Sequence, residues 1–269
     1  MNNNVKNIKN IKKSNNLNNR TTDMGFIIKV IMILLIVVIC IVILAIVARN
    51  ALYYSNINSA ISPILIYEDR NADKQLTNTE KTVIQTGLPP IENRNKFSIS
   101  MWIYIENWDY NINKYKIIFS REIQEPNHPE LTKYTPIIAL DKYENNLVFG
   151  ITTYDNSSPT PQPKFVRFVH KKIPLQKWVN IVYNISDQFI ALFINGYIEN
   201  KYYLDNIFYQ KSHNEKYEYE VLGNGRDDFS KKGNGAIGFR GRISKLQYFA
   251  KNLNNDEIRK IYENGPYID

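Results

Sequence analysis

A chain of 269 residues with a net charge of +8 and a single cysteine has room for one anchor and one large domain, and it excludes a small disulfide-stapled scaffold. The charge is uneven: Lys6, Lys9, Lys12, Lys13 and Arg20 against Asp23 leave the first 25 residues at about +4, Lys29 adds one, and the remainder carries roughly +3. No concentrated basic run follows Arg49, so the sequence offers no nucleic-acid partner.

Residues 1–25 are rich in Asn and Lys and lack an apolar face wide enough to pack, which predicts a disordered basic tail. Residues 26–48 follow as a near-continuous apolar run, unbroken from Val30 to Ala48. A helix of that length covers most of a ~30 Å hydrocarbon core. The run is apolar all round, which suits lipid and not a surface helix. It predicts a transmembrane helix and takes up Cys40, the one cysteine. Five basic residues precede it and only Arg49 follows closely, so the positive-inside rule puts the N-terminus in the cytoplasm. The C-terminal domain then lies on the lumenal or extracellular side, or on a virion membrane. The run exceeds a signal-peptide h-region and no small-x-small site follows it, which favours an uncleaved signal anchor.

Residues 49–61 read as a stalk, with Tyr53 and Tyr54 at the membrane interface. Residues 62–269 read as the domain, and strand signals dominate it. In Lys96–Ile105 the residues Phe97, Ile99, Met101, Ile103 and Ile105 alternate with Ser98, Ser100, Trp102 and Tyr104. Further strands are expected at Tyr115–Glu122, on both sides of Asn145-Asn146, at 164–173 and at Lys177–Ser186. Asn195-Gly196 between two apolar runs predicts a type I′ hairpin turn. A polar insertion from Asp205 to Lys232 interrupts the pattern, and Ala236–Ala250 restores it. Asn254 and Glu257 form a capping-box pair ahead of one short amphipathic helix carrying Ile258, Ile261 and Tyr262. Many short strands without βαβ units predict an all-β fold, a two-sheet antiparallel sandwich.

The strand opening at Trp178 after a Pro-containing turn, the hairpin Ile194–Ile198 and the closing stretch Gly241–Tyr262 resemble, in order and spacing, the laminin-G-like branch of the concanavalin A-like lectin–glucanase jelly rolls. The resemblance covers residues 62–265. The segments SPILIYEDR, LPPIENRNKFSISMWIYIENWDYN and DKYENNLVFGITTYDN further resemble a subgroup found in membrane-anchored proteins of large DNA viruses of eukaryotes. It implies a jelly-roll sandwich used for binding or display, with a glycan or glycoprotein as partner, or other envelope proteins.

The glucanases of this fold set their carboxylates on one strand as Glu-x-Asp-x-x-Glu, and no such pattern occurs here. Glu122 and Glu125 run into Pro126 in what reads as a loop, and Glu106 and Asp109 have the wrong spacing. The expectation is therefore a protein that is not an enzyme. Calcium is the cofactor the resemblance implies, with Asp141, Asp155, Asp227 and Asp228 as candidate donors; turns alone account for such residues equally well. His128, His170 and His213 lack ligand spacing. For ligand binding the candidates are Trp108 and Tyr110, just beyond a strand, with Asp155 and Asn156. Trp102 and Trp178 are expected in the core. Asn156 and Asn184 head glycosylation sequons.

Overall fold

The computed structural model describes residues 26, 28–48, 64–77, 96–125, 128–155, 157, 160, 162–209, 216–230 and 233–267. The basic tail expected at 1–25 and the stalk at 49–61 fall outside them. The chain divides into two units, Met1–Asn56 and Ile57–Asp269. The described residues of the first form helix α1 (Ile28–Ala48), whose 21 residues are long and apolar enough to cross a membrane.

The second unit is an antiparallel two-sheet β-sandwich. Its strands are β1 (Ile64–Ile66), β2 (Arg70–Asn71), β3 (Phe97–Ile105), β4 (Lys116–Glu125), β5 (His128–Leu140), β6 (Leu147–Asp155), β7 (Gln162–His170), β8 (Trp178–Ile185), β9 (Phe189–Ile194), β10 (Tyr197–Tyr203), β11 (Lys216–Val221) and β12 (Gly241–Phe249). Seven form one sheet, ordered β1-β12-β3-β8-β9-β10 with β2 also paired to β12. Five form the other, ordered β11-β4-β5-β6-β7. The main core lies between them: Phe97, Ile99, Ile103, Ile181, Leu192 and Ile243 from the larger sheet meet Ile118, Ile138, Phe149 and Ile151 from the smaller. This is the period-two alternation of the sequence turned inward. The β9–β10 turn has Asn195 at φ 51° and Gly196 at φ 81°, the two positive values that the sequence pair predicts.

Both outer faces are partly covered, which alternation alone did not foretell. Ser98, Ser100 and Trp102 of β3 point away from the core yet are buried. The cover is the C-terminal helix α2 (Asn255–Glu263) and the chain leading into it. Ile258 and Leu253 pack on Val182, Phe193 and Phe249, and Tyr262 stacks on Trp102 at 5.7 Å. The helix starts with the expected capping box: the Glu257 N–H donates to Asn254 Oδ1 and the Asn254 N–H to Glu257 Oε2, both at 2.9 Å.

The smaller sheet is covered by the segment between β11 and β12. Phe229 stacks on Tyr115 at 4.4 Å and meets Tyr134 and Phe165 edge-on or tilted. Burying that ring contributes about 2–3 kcal/mol. The stretch read as a polar insertion therefore supplies an edge strand, β11, and a hydrophobic plug. Glu122 lies within β4 and not in a loop, because β4 runs on to pair with β11.

Candidate functional site: a groove across the larger sheet

The end of the larger sheet that the helix leaves open carries a groove of about 530 Å³. Its floor follows from register. Asn71 of β2 pairs with Arg242 of β12, Arg242 with Tyr104 of β3, and Tyr104 with Trp178 of β8. Their neighbours Ala72, Ile243, Ile103 and Val179 all point into the core, so these four side chains share the outer face. One amide, one guanidinium and two aromatic rings thus form a row across four adjacent strands, about 14 Å long at the usual strand spacing.

The walls come from elsewhere in the chain. Past α2, the backbone carbonyl of Pro266 accepts from Ser244 Oγ at 2.5 Å, and Lys245 Nζ donates to the carbonyls of Asn264 and Gly265. These bonds lay Tyr267 beside Trp178: the indole Nε1 donates to the Tyr267 hydroxyl at 2.9 Å, with the rings 5.9 Å apart and near perpendicular. Tyr104 and Trp178 lie 5.8 Å apart. The opposite wall is charged. Arg240 donates to Asp73 at 2.9 Å and lies 3.4 Å from Glu106, while Arg242 pairs with Asp69 at 2.5 Å. At Gly241, between the two arginines, a Cβ would overlap the Tyr104 carbonyl oxygen, so only glycine lets β12 approach β3 this closely.

Trp178, expected in the core, is therefore a half-buried groove residue; Trp102 is buried as expected, beneath Tyr262. Trp108 and Tyr110 are braces at the end of β3. Trp108 packs against the main core, with Lys116 Nζ 4.8 Å over its ring. The Tyr110 hydroxyl donates to the Ile237 carbonyl at 3.0 Å. Burial, then the nearby Asp73 carboxylate, push that hydroxyl up, against the pull of Arg240. Tyr110 thus sits behind the groove's charged wall.

The four aspartates do not converge. Asp141 accepts from the Tyr143 N–H, Asp155 from the Ser157 N–H, and Asp228 from the Ser230 N–H and hydroxyl, while Asp227 pairs with Lys114. Three of them make the local bonds of turn residues. The bonds from Ser157 hold the Asp155 carboxyl below its ordinary value. Among the described residues no group of three His, Cys, Asp or Glu side chains is placed to hold a metal ion, so these donors do not fit a calcium shell. Asn156 lies outside the described residues. Asn184 is buried, and the nitrogen that a glycan would modify donates to the Leu253 carbonyl at 2.8 Å, while its oxygen accepts from Ser98 Oγ at 2.6 Å. The folded domain keeps that amide out of reach.

A second charged cluster sits on the smaller sheet. Arg226 Nη2 bonds both Glu122, at 2.6 Å, and Glu220, and its Nη1 donates to the Tyr134 hydroxyl at 2.5 Å. The shared nitrogen holds the two carboxylates close to each other, the kind of pairing that a glycosidase would need. The guanidinium, however, fills the space between them where a sugar would have to sit.

No family model matches the sequence. Among curated proteins the chain is 24% identical over 131 residues to the SH2 domain-containing protein B of Arabidopsis thaliana, over 46% of this chain but 18% of that protein. Similar solved structures include the receptor-binding domain of botulinum neurotoxin mosaic serotype C/D, at 15% identity and TM-score 0.43 over 63% of this chain and 36% of that one. Domain 4 of AbnA, a GH43 extracellular arabinanase from Geobacillus stearothermophilus solved with arabinotriose, matches at 16% and TM-score 0.39 over 65% of this chain and 70% of that one. The botulinum neurotoxin serotype D ligand-binding domain, solved with N-acetylneuraminic acid, matches at 16% and TM-score 0.41 over 64% and 37%. The chain thus spans about a third of the neurotoxin chains and under a fifth of the curated relative. These similarities assign no ligand to it.

Proposed function

We propose that this chain is a membrane-anchored recognition protein that binds glycans or glycoproteins in the groove across the larger sheet. The observation that carries the reading is the Tyr104–Trp178–Tyr267 cluster beside Asn71, Asp73, Glu106, Arg240 and Arg242. A pyranose ring has an apolar face suited to an aromatic platform and a rim of hydroxyls suited to fixed donors and acceptors. The groove supplies both in an open trough, the form expected of a site for an extended ligand and unlike the closed pocket of a small cofactor. Binding without catalysis suits a site whose floor has no pair of opposed carboxylates. Helix α1 anchors the chain in the bilayer, and the basic residues before it favour a cytoplasmic N-terminus. The sandwich then faces the outside of a cell or of an enveloped particle, the setting that the sequence resemblance implies.

A glycan array probed with the full chain in detergent tests this. Binding to a defined glycan set is expected, with loss of at least tenfold for Trp178→Ala; an array without binding sinks the reading. One observation favours a second role, packing against other envelope proteins: edge strand β10 exposes Tyr197, Ile198 and Tyr203 at 60–71%. If Ile198→Lys, and not Trp178→Ala, abolishes incorporation into the membrane assembly, packing is the function.

A further inference from the structure

We infer that the groove is selective for sugars bearing a carboxylate, which Arg242 and Arg240 receive while the ring rests against Tyr104 and Trp178. The inference rests on the glycan reading and adds the ligand's charge to it.

The two groove arginines differ from Arg121 and Arg226, the arginines that are buried among the described residues. Arg226 is buried against two glutamates, and Arg121 is buried among Phe97, Tyr217, Tyr219 and Tyr248, its guanidinium 4.2 Å from the Tyr217 ring. Both are spent on the fold. Arg240 and Arg242 keep about half of their side chains exposed, 50% and 49%, whereas the carboxylates that steady them, Asp73 and Asp69, are at 14% and 13%. The carboxylates therefore stand behind the guanidiniums and fix their planes, and the guanidiniums form the wetted surface. They sit two residues apart, Arg240 just ahead of β12 and Arg242 within it, with Lys74 also lining the groove. A planar, preoriented guanidinium matches a carboxylate in two parallel hydrogen bonds and loses little entropy in making them.

Register sets the distance from charge to ring. Arg242 is the direct cross-strand partner of Tyr104, and Trp178 is one strand further on. A carboxylate at Arg242 therefore leaves its sugar ring over Tyr104 and a second ring over Trp178, one sugar per strand or so at about 4.8 Å per strand. Glu106 is the competitor. Its side chain is 58% exposed and contacts Arg240 Nε at 3.4 Å, so it lies on the side from which a ligand arrives. It repels an incoming carboxylate and raises the threshold for weak anions.

Paired probes test this with the full chain in detergent: a glucuronic-acid-terminated oligosaccharide and its glucose-terminated counterpart, titrated against wild type, Arg242→Gln, Arg240→Gln and Glu106→Gln. Wild type is expected to prefer the acidic probe at least tenfold and to lose that preference as salt is raised. Either arginine variant should remove the preference while keeping the melting temperature. Glu106→Gln should raise the acidic-to-neutral binding ratio about threefold, a gain that a structural role for Glu106 would not produce. Equal binding of both probes, or a preference that survives Arg242→Gln, overturns the inference and leaves glycan binding standing. If no glycan on the array binds, the broader reading fails with it.

Discussion

The outer faces of the two sheets use the same residue types in opposite ways. On the smaller sheet, Glu122, Glu220 and Tyr134 meet Arg226, which the covering segment that carries Phe229 supplies, and the charges close on one another. On the larger sheet, Arg240, Arg242, Glu106 and Tyr104 lie past the end of α2, with their charges backed from below and open above. The difference lies in the cover. A loop with an aromatic plug crosses the first face, whereas a nine-residue helix covers only part of the second. An arginine paired with carboxylates is therefore informative about function only once its burial is known: closed pairs hold the fold, and half-open ones present a surface.

That contrast can be broken first on the closed side. Arg226→Met leaves Glu122 buried without its partner and should destabilise the domain by about 3–5 kcal/mol. At about 2–4 °C per kcal/mol for a domain of this size, a circular dichroism melt should show a drop of roughly 10 °C. Glycan binding by the fraction that still folds should be unchanged.

The next effect belongs to Lys116. Its amine is buried, donates to the carbonyls of Asp141 and Lys142, and is pushed down to about 8 by burial, against the pull of Asp141. Between pH 8 and 10 the unfolded chain holds more protons at this site than the folded one, so stability rises with pH there, by up to about 1.4 kcal/mol per unit. Above pH 10 the trend reverses, because unfolded tyrosines ionise while Tyr183, Tyr134 and Tyr248 in the fold are held up by burial. Denaturant titrations at pH 7, 8, 9 and 10 should show the rise in wild type and a flat profile for Lys116→Met.

Smaller still, Asn254→Ala removes the helix cap and should cost about 1 kcal/mol. It loosens the cover that positions Tyr267, so binding should weaken while the melt moves by only a few degrees. At the bottom of the scale, Arg242→Gln should move stability by less than about 0.5 kcal/mol. If it instead destabilises the domain as Arg226→Met does, the distinction between closed and open pairs collapses.

Much of the sandwich was legible because local chemistry and global fold agree. The alternation in β3, the Asn195-Gly196 turn and the Asn254–Glu257 box each state their structure within ten residues. The burial of Ser98 and Ser100 was not legible, because it is imposed by a helix and its lead-in some 150 positions away in sequence. The groove was missed for the same reason. Its residues stand at 71, 73, 104, 106, 178, 240, 242 and 267, and only strand register and the chain past α2 assemble them. Trp178 read as core because a Trp opening a strand gives no sign of which face it takes. Trp108 drew attention because it follows a strand, yet Lys116 lies across its ring. The tyrosine-and-glutamate alternation of β11 was present in the polar insertion and was the one missed strand that periodicity could have recovered.

The cross-strand row has a consequence for how such a domain diversifies. Each strand contributes one outward residue to the row, and none of these four sits in the core cluster. The ladder beneath is held by backbone bonds and inward neighbours, so a change at 71, 104, 178 or 242 rewrites one position of the groove floor without touching the frame. The groove behaves as a set of independent keys on a fixed keyboard. A library randomised at those four positions should therefore yield a large share of folded domains that differ in what they hold.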